Sequence, residues 1–235
     1  MRFATFTSQS RDGRLVVIST DGRRYLEVGD TAPNLLGAIE RWDALMPRLS
    51  ELADRLEQGE GDGFDPANCA APLPRSWQWL DGSAFSTHGE LMQVAFGLDP
   101  IEAEKPLMYQ GLSDRFYGPV DDVPFPGMEH GIDFEGEYGV IVDHVPMGTD
   151  AAEAMKHIKL IVQINDWSLR AIAPVEMKTG FGWVQAKPAC SMAPFAVTPE
   201  ELGDAWQDGR VCLDLEIDWN GKRFGAANGR EMDVG

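Results

Sequence analysis

Acids stand at every second position of Asp133-Phe134-Glu135-Gly136-Glu137. On a β-strand, side chains at i, i+2 and i+4 share a face. The run therefore predicts three carboxylates on one side, with Phe134 and Tyr138 on the other. Like charges at that spacing repel, and they are tolerated where water solvates them or a cation neutralises them. With 38 acids in 235 residues, such a triplet arises by chance about once, so alone it reads as a solvated strand face. The strand continues into Gly139-Val140-Ile141-Val142, which belongs in a core. A second apolar run, Leu160-Ile161-Val162-Gln163-Ile164, ends in Asn165-Asp166-Trp167-Ser168. A carboxylate where an apolar strand stops is either a cap or turn residue or a functional group. Glu135, Glu137 and Asp166 together would offer an all-oxygen cage, which selects Mg²⁺, Ca²⁺ or Mn²⁺ over zinc.

The chain has four histidines, His88, His130, His144 and His157. His88 ends the polar stretch Asp81-Gly82-Ser83-Ala84-Phe85-Ser86-Thr87-His88. An imidazole of near-neutral pKa can take a proton from water; His88 also reads as a loop residue capping the next segment. His130, close to the acidic strand, is its main rival as a base. Phe181-Gly182-Trp183-Val184-Gln185-Ala186-Lys187-Pro188-Ala189-Cys190-Ser191 carries one lysine in a largely uncharged stretch. Lys187 is either a fixed positive charge facing an oxyanion or a surface lysine. Arg170, four residues after Asp166, could act likewise or pair with an acid.

These groups need elements to hold them. Leu15-Val16-Val17-Ile18, the turn Thr20-Asp21-Gly22 and Tyr25-Leu26-Glu27-Val28 predict a hairpin. Leu35, Leu36, Ile39, Trp42, Leu45, Met46, Leu49, Leu52 and Leu56 follow at helical spacing, with an interruption expected near Pro47. A polar Gly-rich run and Ala71-Pro72-Leu73-Pro74 then read as a linker, dividing a small N-terminal domain (1–70) from the remainder (71–235). The remainder is mostly strand and loop. Asp150 and Glu153 suggest a capping box for a short helix to about His157, and Thr198-Pro199-Glu200-Glu201 another helical turn. Alternation from Val211 to Trp219, then Asn220-Gly221, predicts a second hairpin. The fold class expected is mixed α+β and rich in strands.

Composition narrows the partners. Twenty Lys and Arg against 38 Asp and Glu leave a formal charge of −18, which repels a phosphate backbone, so no nucleic acid is expected. No window approaches the roughly 20 apolar residues of a spanning helix, and the start lacks the apolar core of a signal peptide; no membrane partner is expected. Cys69, Cys190 and Cys212 form neither a disulfide framework nor a CxxC pair, which suits reduced thiols in a cytoplasm.

Taken together, Asp133-Phe134-Glu135-Gly136-Glu137 and Asn165-Asp166-Trp167-Ser168-Leu169-Arg170 resemble the paired-glutamate strand and the Asn-Asp-x-Ser-x-Arg segment of the fumarylacetoacetate hydrolase family. The spacing from Asp81 to His88 resembles the aspartate and catalytic histidine of its fumarylacetoacetase-like members, and Lys187 follows Asp166 at nearly the family spacing. The resemblance covers roughly residues 70–234 and more weakly the N-terminus. It implies the family's mixed β-roll with short helices behind a small N-terminal α+β domain, in a homodimer. It implies a divalent cation, Mg²⁺ first and Ca²⁺ or Mn²⁺ as alternatives, held by Asp81, Glu135, Glu137 and Asp166. His88 would activate water, and Lys187 with Arg170 would surround the oxyanion. Ser83, Ser191 and Asn165 would stand nearby, toward substrate or behind the ligands. The activity implied is hydrolysis of a carbon–carbon bond in a small anionic β-diketo acid. Fumarylacetoacetate, cleaved to fumarate and acetoacetate in tyrosine catabolism, is the first choice. Acylpyruvate hydrolysis, or decarboxylation, isomerisation or hydration of a related keto or hydroxy-dienoic acid, is the alternative, and an inactive metal-binding domain a third.

The pattern departs from the family at Ser83 and Gly97, where fumarylacetoacetase-like members carry a tyrosine and an arginine, and near Ala173, where they carry a glutamine. The family also continues with further roll strands where this sequence stops, so the resemblance implies that the C-terminal part of the domain is missing.

Overall fold

The computed structural model describes residues 1–97, 99 and 106–233. The N-terminal part forms strands β1 (Arg2–Phe6), β2 (Arg14–Ile18) and β3 (Arg24–Glu27), helices α1 (Leu35–Ile39) and α2 (Trp42–Glu57), and the short strand β4 (Asp62–Gly63). Next come β5 (Leu80–Gly82), α3 (Ser86–Phe96) and β6 (Met108–Gln110), then the long strand β7 (Ile132–Val142) and the one-turn helix α4 (Ala151–Ala154). The chain continues through β8 (Ile158–Leu169), α5 (Ala173–Thr179), β9 (Ser191–Met192) and β10 (Phe195–Val197). It closes with β11 (Trp206–Gln207), β12 (Arg210–Val211) and the hairpin β13 (Asp214–Trp219) and β14 (Lys222–Asn228). The class is the strand-rich α+β fold expected. None of the described helices is long and apolar enough to cross a membrane.

One sheet organises the molecule. Its order is β4-β3-β2-β1-β10-β8-β7, with β9 also pairing β8. The N-terminal strands therefore share a sheet with β7 and β8, and β1 bonds β2 on one side and β10 on the other. Because alternate residues of a strand face opposite sides, β1 and β2 feed two clusters. Phe3, Leu15 and Val17 join Leu35, Leu49, Leu52 and Leu56 of the helices and Leu160 and Val162 of β8 in the main core. Ala4, Phe6, Val16 and Ile18 join Cys69 on the other face, with Phe64 and Phe195 packed against them. Each fully buried Leu or Phe contributes roughly 1.5–3 kcal/mol relative to exposure, so this two-sided burial anchors the sheet.

The helical segment breaks elsewhere than expected. Glu40 and Arg41 separate α1 from α2, and Pro47 lies inside α2. Pro47 is on the exposed side, while Trp42, Leu45, Leu49, Leu52 and Leu56 keep an unbroken buried stripe. That burial outweighs the hydrogen bond a proline removes. The second apolar run is also longer than its hydrophobicity suggests: β8 runs on through Asn165, Asp166, Trp167 and Ser168. Asp166 thus stands within a paired strand, not where one stops. Pairing with the 11-residue β7 carries β8 past its apolar stretch. At Gly139 the tip of the Ile164 side chain fills the space a Cβ would take, since Cδ1 would stand 2.3 Å from it.

The predicted turns form as their chemistry requires. The Asp150 side chain accepts from the Glu153 N–H and starts α4. Asn220 (φ +51°) and Gly221 (φ +74°) take the left-handed conformations of a tight hairpin turn between β13 and β14. The alternation from Val211 splits in two, because β12 ends at Val211 and β13 begins at Asp214.

Candidate metal centre

Register assembles the site. Glu135 lies opposite Asp166, Asp133 opposite Ser168 and Glu137 opposite Ile164. Residues paired across antiparallel strands present side chains on one face, so Asp133, Glu135, Glu137, Asp166 and Ser168 share it. The short pair β5 and β6 supplies the rest, with Asp81 opposite Tyr109. Carboxylate oxygens of Asp81, Glu137 and Asp166 lie within 4.8 Å of one another. Asp166 is fully buried and the other two half-buried.

Glu135 stands beside this triad with its charge already answered. Its carboxylate accepts from Lys187 Nζ at 3.0 Å and from Ser168 Oγ at 3.2 Å, and Arg170 Nη2 lies 2.6 Å away. Arg170 Nε also donates to Asp133 at 2.8 Å. Lys187 Nζ reaches Asp166 Oδ2 at 2.6 Å and so stands between Glu135 and the triad. Two further donors reach Asp166, and one of them also lies against Lys187. The Tyr109 hydroxyl donates to Oδ2 at 2.8 Å, the Cys190 thiol donates to Oδ1 at 3.3 Å, and the Lys187 ammonium lies 5.6 Å from the centre of the Tyr109 ring.

The other predicted residues are placed as follows. His88 is in the first turn of α3, half-buried, and its ring makes no hydrogen bond among the described residues. Ser83 is exposed just after β5. Asn165 pairs with Gly136 and Ser191 and therefore faces away from Asp166; its Oδ1 is buried without a partner among the described residues. Ser191 is on that far face as well, where its Oγ accepts from Trp167 Nε1 at 2.9 Å. Tyr109 joins the site without a signal in the sequence. Its segment, Met108-Tyr109-Gln110, carries no motif, and only the pairing of two three-residue strands brings it to Asp166. Cys190 reads as a small buried residue, and its spacing gives no sign of the bond to Asp166.

The charges are uneven. Burial first, and then the negative charge of Asp166, pushes the Asp81 carboxyl up to about 6. Burial, followed by Asp81, Asp166 and Glu135, pushes Glu137 up to about 9. Glu135 goes the other way: burial alone would raise it, but Lys187 and Arg170 hold it below the usual carboxylate range. Lys187 is held above the ordinary lysine value because Asp166 and Glu135 outweigh its burial. Burial and the neighbouring carboxylates push the Tyr109 hydroxyl and the Cys190 thiol far upward, so both remain protonated donors.

This donor set fits a hard divalent cation. The converging atoms are all carboxylate oxygens, as such cations prefer, and the triad holds negative charge that the nearby lysine and arginine do not fully answer. A pH dependence follows. The folded-state values of Asp81 and Glu137 are raised, so the stability they contribute is complete below their unfolded values. It is lost as pH rises, through about 6 for Asp81 and about 9 for Glu137. A cation on the triad reverses that loss. Mn²⁺ is expected to raise the melting temperature by several degrees at about pH 8.5 and by little at about pH 5. Equal increments at both pH values, in a fluorescence-monitored melt, would rule out these carboxylates as the binding groups.

Known proteins were compared with the chain on this basis. Residues 1–75 match the model of the fumarylacetoacetase N-terminal domain 2, and residues 78–234 match that of the fumarylacetoacetate hydrolase C-terminal domain. The 2,4-didehydro-3-deoxy-L-rhamnonate hydrolase of Sphingomonas sp. (strain SKA58) is 32% identical over 137 residues, which are 57% of this chain and 45% of that protein. The chain thus spans less than half the length of this curated relative. Maleylpyruvate hydrolase from Sphingobium sp. SYK-6, solved with manganese(II) and pyruvate, superposes with a TM-score of 0.70 at 16% identity, covering 99% of this chain and 78% of that one. The 5-carboxymethyl-2-hydroxymuconate delta-isomerase of Mycobacterium smegmatis superposes at 0.62 and 18% identity, covering 99% and 76%. At these identities the two structures establish a shared fold.

Proposed function

The chain belongs to the fumarylacetoacetate hydrolase family, and from that membership we propose that it cleaves a carbon–carbon bond in a small anionic diketo acid, using a divalent cation. The observation that carries this reading is the convergence of Asp81, Glu137 and Asp166, with Lys187 on the same carboxylate. Hydrolysing such a bond requires a nucleophilic water at one carbonyl and a stabilised enolate as the leaving group. A divalent cation held by the triad would supply Lewis acidity toward the oxygens of such an acid.

The protein's own groups do the remaining work. Asp81, Glu137 and Asp166 would hold the cation from three separate strands. Arg170 neutralises Asp133 and Glu135 and fixes the latter. Lys187 offers an ammonium donor where an oxyanion would form. We assign His88 as the base that takes the proton from water, on its spacing of seven residues after Asp81 and its position in the first turn of α3. The reading extends to fumarylacetoacetate as first substrate. The curated relative's name adds a sugar-derived diketo acid, 2,4-didehydro-3-deoxy-L-rhamnonate, to the acids to be tried.

Purified protein mixed with fumarylacetoacetate, acetylpyruvate and 2,4-didehydro-3-deoxy-L-rhamnonate tests this. One of them is expected to be consumed with Mg²⁺ or Mn²⁺ present, and the rate is expected to vanish on chelation. Turnover that survives complete chelation defeats the proposal. His88→Ala should lower the rate about 10²- to 10⁴-fold, the usual span for a general base, with Mn²⁺ affinity retained. An unchanged rate would transfer the base role to His130.

A further inference from the structure

Glu176 lies outside the acidic centre, yet it is bound into the segment that delivers Lys187. Its carboxylate accepts three consecutive backbone N–H groups, from Val184 at 3.1 Å, Gln185 at 2.8 Å and Ala186 at 3.0 Å. Successive amides converging on one carboxylate form a small anion-binding nest, and here the anion belongs to the chain itself. The three bonds pull the Glu176 carboxyl below its ordinary range against the opposing effect of burial. Gly180 (φ +73°) and Gly182 (φ +93°) let the backbone turn out of α5 and back toward that carboxylate. The far end of the segment is tied to β8, where the Leu169 N–H donates to the Ala186 carbonyl at 2.8 Å.

Two side chains facing the centre flank the held run. Trp183, just before it, meets the Tyr109 ring edge to face, with centroids 6.1 Å apart. Lys187, just after it, bridges Glu135 and Asp166. A lysine side chain has much rotamer freedom to lose, so its ammonium stays on two carboxylates only if the backbone carrying it is fixed. We infer that Glu176 is a positioning residue, which by clamping residues 184–186 holds the Lys187 ammonium and the Trp183 ring against the centre.

The kinetic half of this inference rests on the hydrolase reading; the structural half does not. Glu176→Ala and Glu176→Gln are each to be compared with the wild type. Brief acylation with acetic anhydride, read by mass spectrometry at Lys187 and normalised to Lys156 and Lys222, reports whether the ammonium is still held. Glu176→Ala should raise Lys187 labelling by at least about tenfold through local opening. With a substrate that the wild type turns over, kcat should fall about 10- to 100-fold, the scale of a misplaced group, and KM should change less. Mn²⁺ affinity should remain that of the wild type. Glu176→Gln, which keeps one acceptor oxygen, should lie between the two in both readouts. Wild-type labelling at Lys187 in a folded variant overturns the inference, and so does a wild-type kcat alongside raised labelling. If Glu176→Ala does not fold, Glu176→Gln decides by the same criteria. Absence of turnover by the wild type would overturn the hydrolase reading, while the labelling ratio would still decide the positioning role.

Discussion

Lys187→Met is expected to destabilise the cation-free protein by about 3–5 kcal/mol at neutral pH, the usual cost of stripping one partner from a buried ion pair. Its ammonium is the shared partner of Asp166, which is fully buried, and of Glu135. Methionine fills similar volume but, among the described residues, leaves Asp166 with the Tyr109 phenol and the Cys190 thiol as donors. The dependence on pH can be signed. Lys187 is raised above its ordinary value, so its contribution is complete below the unfolded lysine value and disappears only as pH climbs through the higher folded one. Glu135 is lowered, so its contribution is present above the unfolded carboxylate value and is lost as pH falls through the folded one. The difference between wild type and variant should therefore be full at pH 7 and shrink in acid. Urea denaturation across that range measures it, and a loss below about 1 kcal/mol at pH 7, the scale of an exposed pair, would show that Lys187 is not held as described. Turnover should fall at the same time by about 10²–10³-fold, the scale set by removing one oxyanion donor.

Asp166→Asn should be the most damaging change for metal binding. The carboxylate is one of three that converge, and it collects the donors of Lys187, Tyr109 and Cys190. An amide keeps one acceptor oxygen and turns an N–H₂ group toward groups that are themselves donors. Mn²⁺ affinity should drop by more than about 100-fold, beyond what loss of an outer partner of a ligand costs, and turnover should fall to background. Glu135→Gln provides the comparison, since Glu135 is engaged by Lys187 and Arg170 beside the triad. Its loss of affinity should be smaller. Electron paramagnetic titration of Mn²⁺ measures both variants, and equal losses would make Glu135 a fourth ligand that exchanges its lysine for the ion.

The parts of this site that were legible from sequence are those carried by local pattern. The alternation in Asp133-Phe134-Glu135-Gly136-Glu137 predicts a strand with its acids on one face, and β7 has that form. Asn220-Gly221 carries its turn in two residues. What sequence hides is register and long-range pairing. The opposition of Glu135 to Asp166, and of Asp81 to Tyr109, depends on which residues of distant strands align. No periodicity records that, so the sequence carries no signal for Tyr109, and hydrophobicity alone ends β8 too early. The ion pairs of Glu135 are hidden for the same reason. A list of acids does not say which will find a lysine and an arginine, as Glu135 does, and which will be left facing one another, as Asp81, Glu137 and Asp166 are. Pro47 adds a different lesson, because a local breaker lost to five buried side chains elsewhere on the same helix.

The shared sheet bears on how this polypeptide can be dissected. Strand β1 fills the place between β2 and β10, and β10 in turn lies against β8, which carries Asp166. Excising residues 1–70 would bare a hydrogen-bonding edge and unroof the apolar residues that Phe3, Leu15 and Val17 now cover, two steps away from the acids. The amino-terminal segment is thus less an accessory than a keystone, and the proline-rich stretch expected to be a linker is itself packed away, with Ala71, Pro72 and Leu73 buried, so a protease should find no ready cut there.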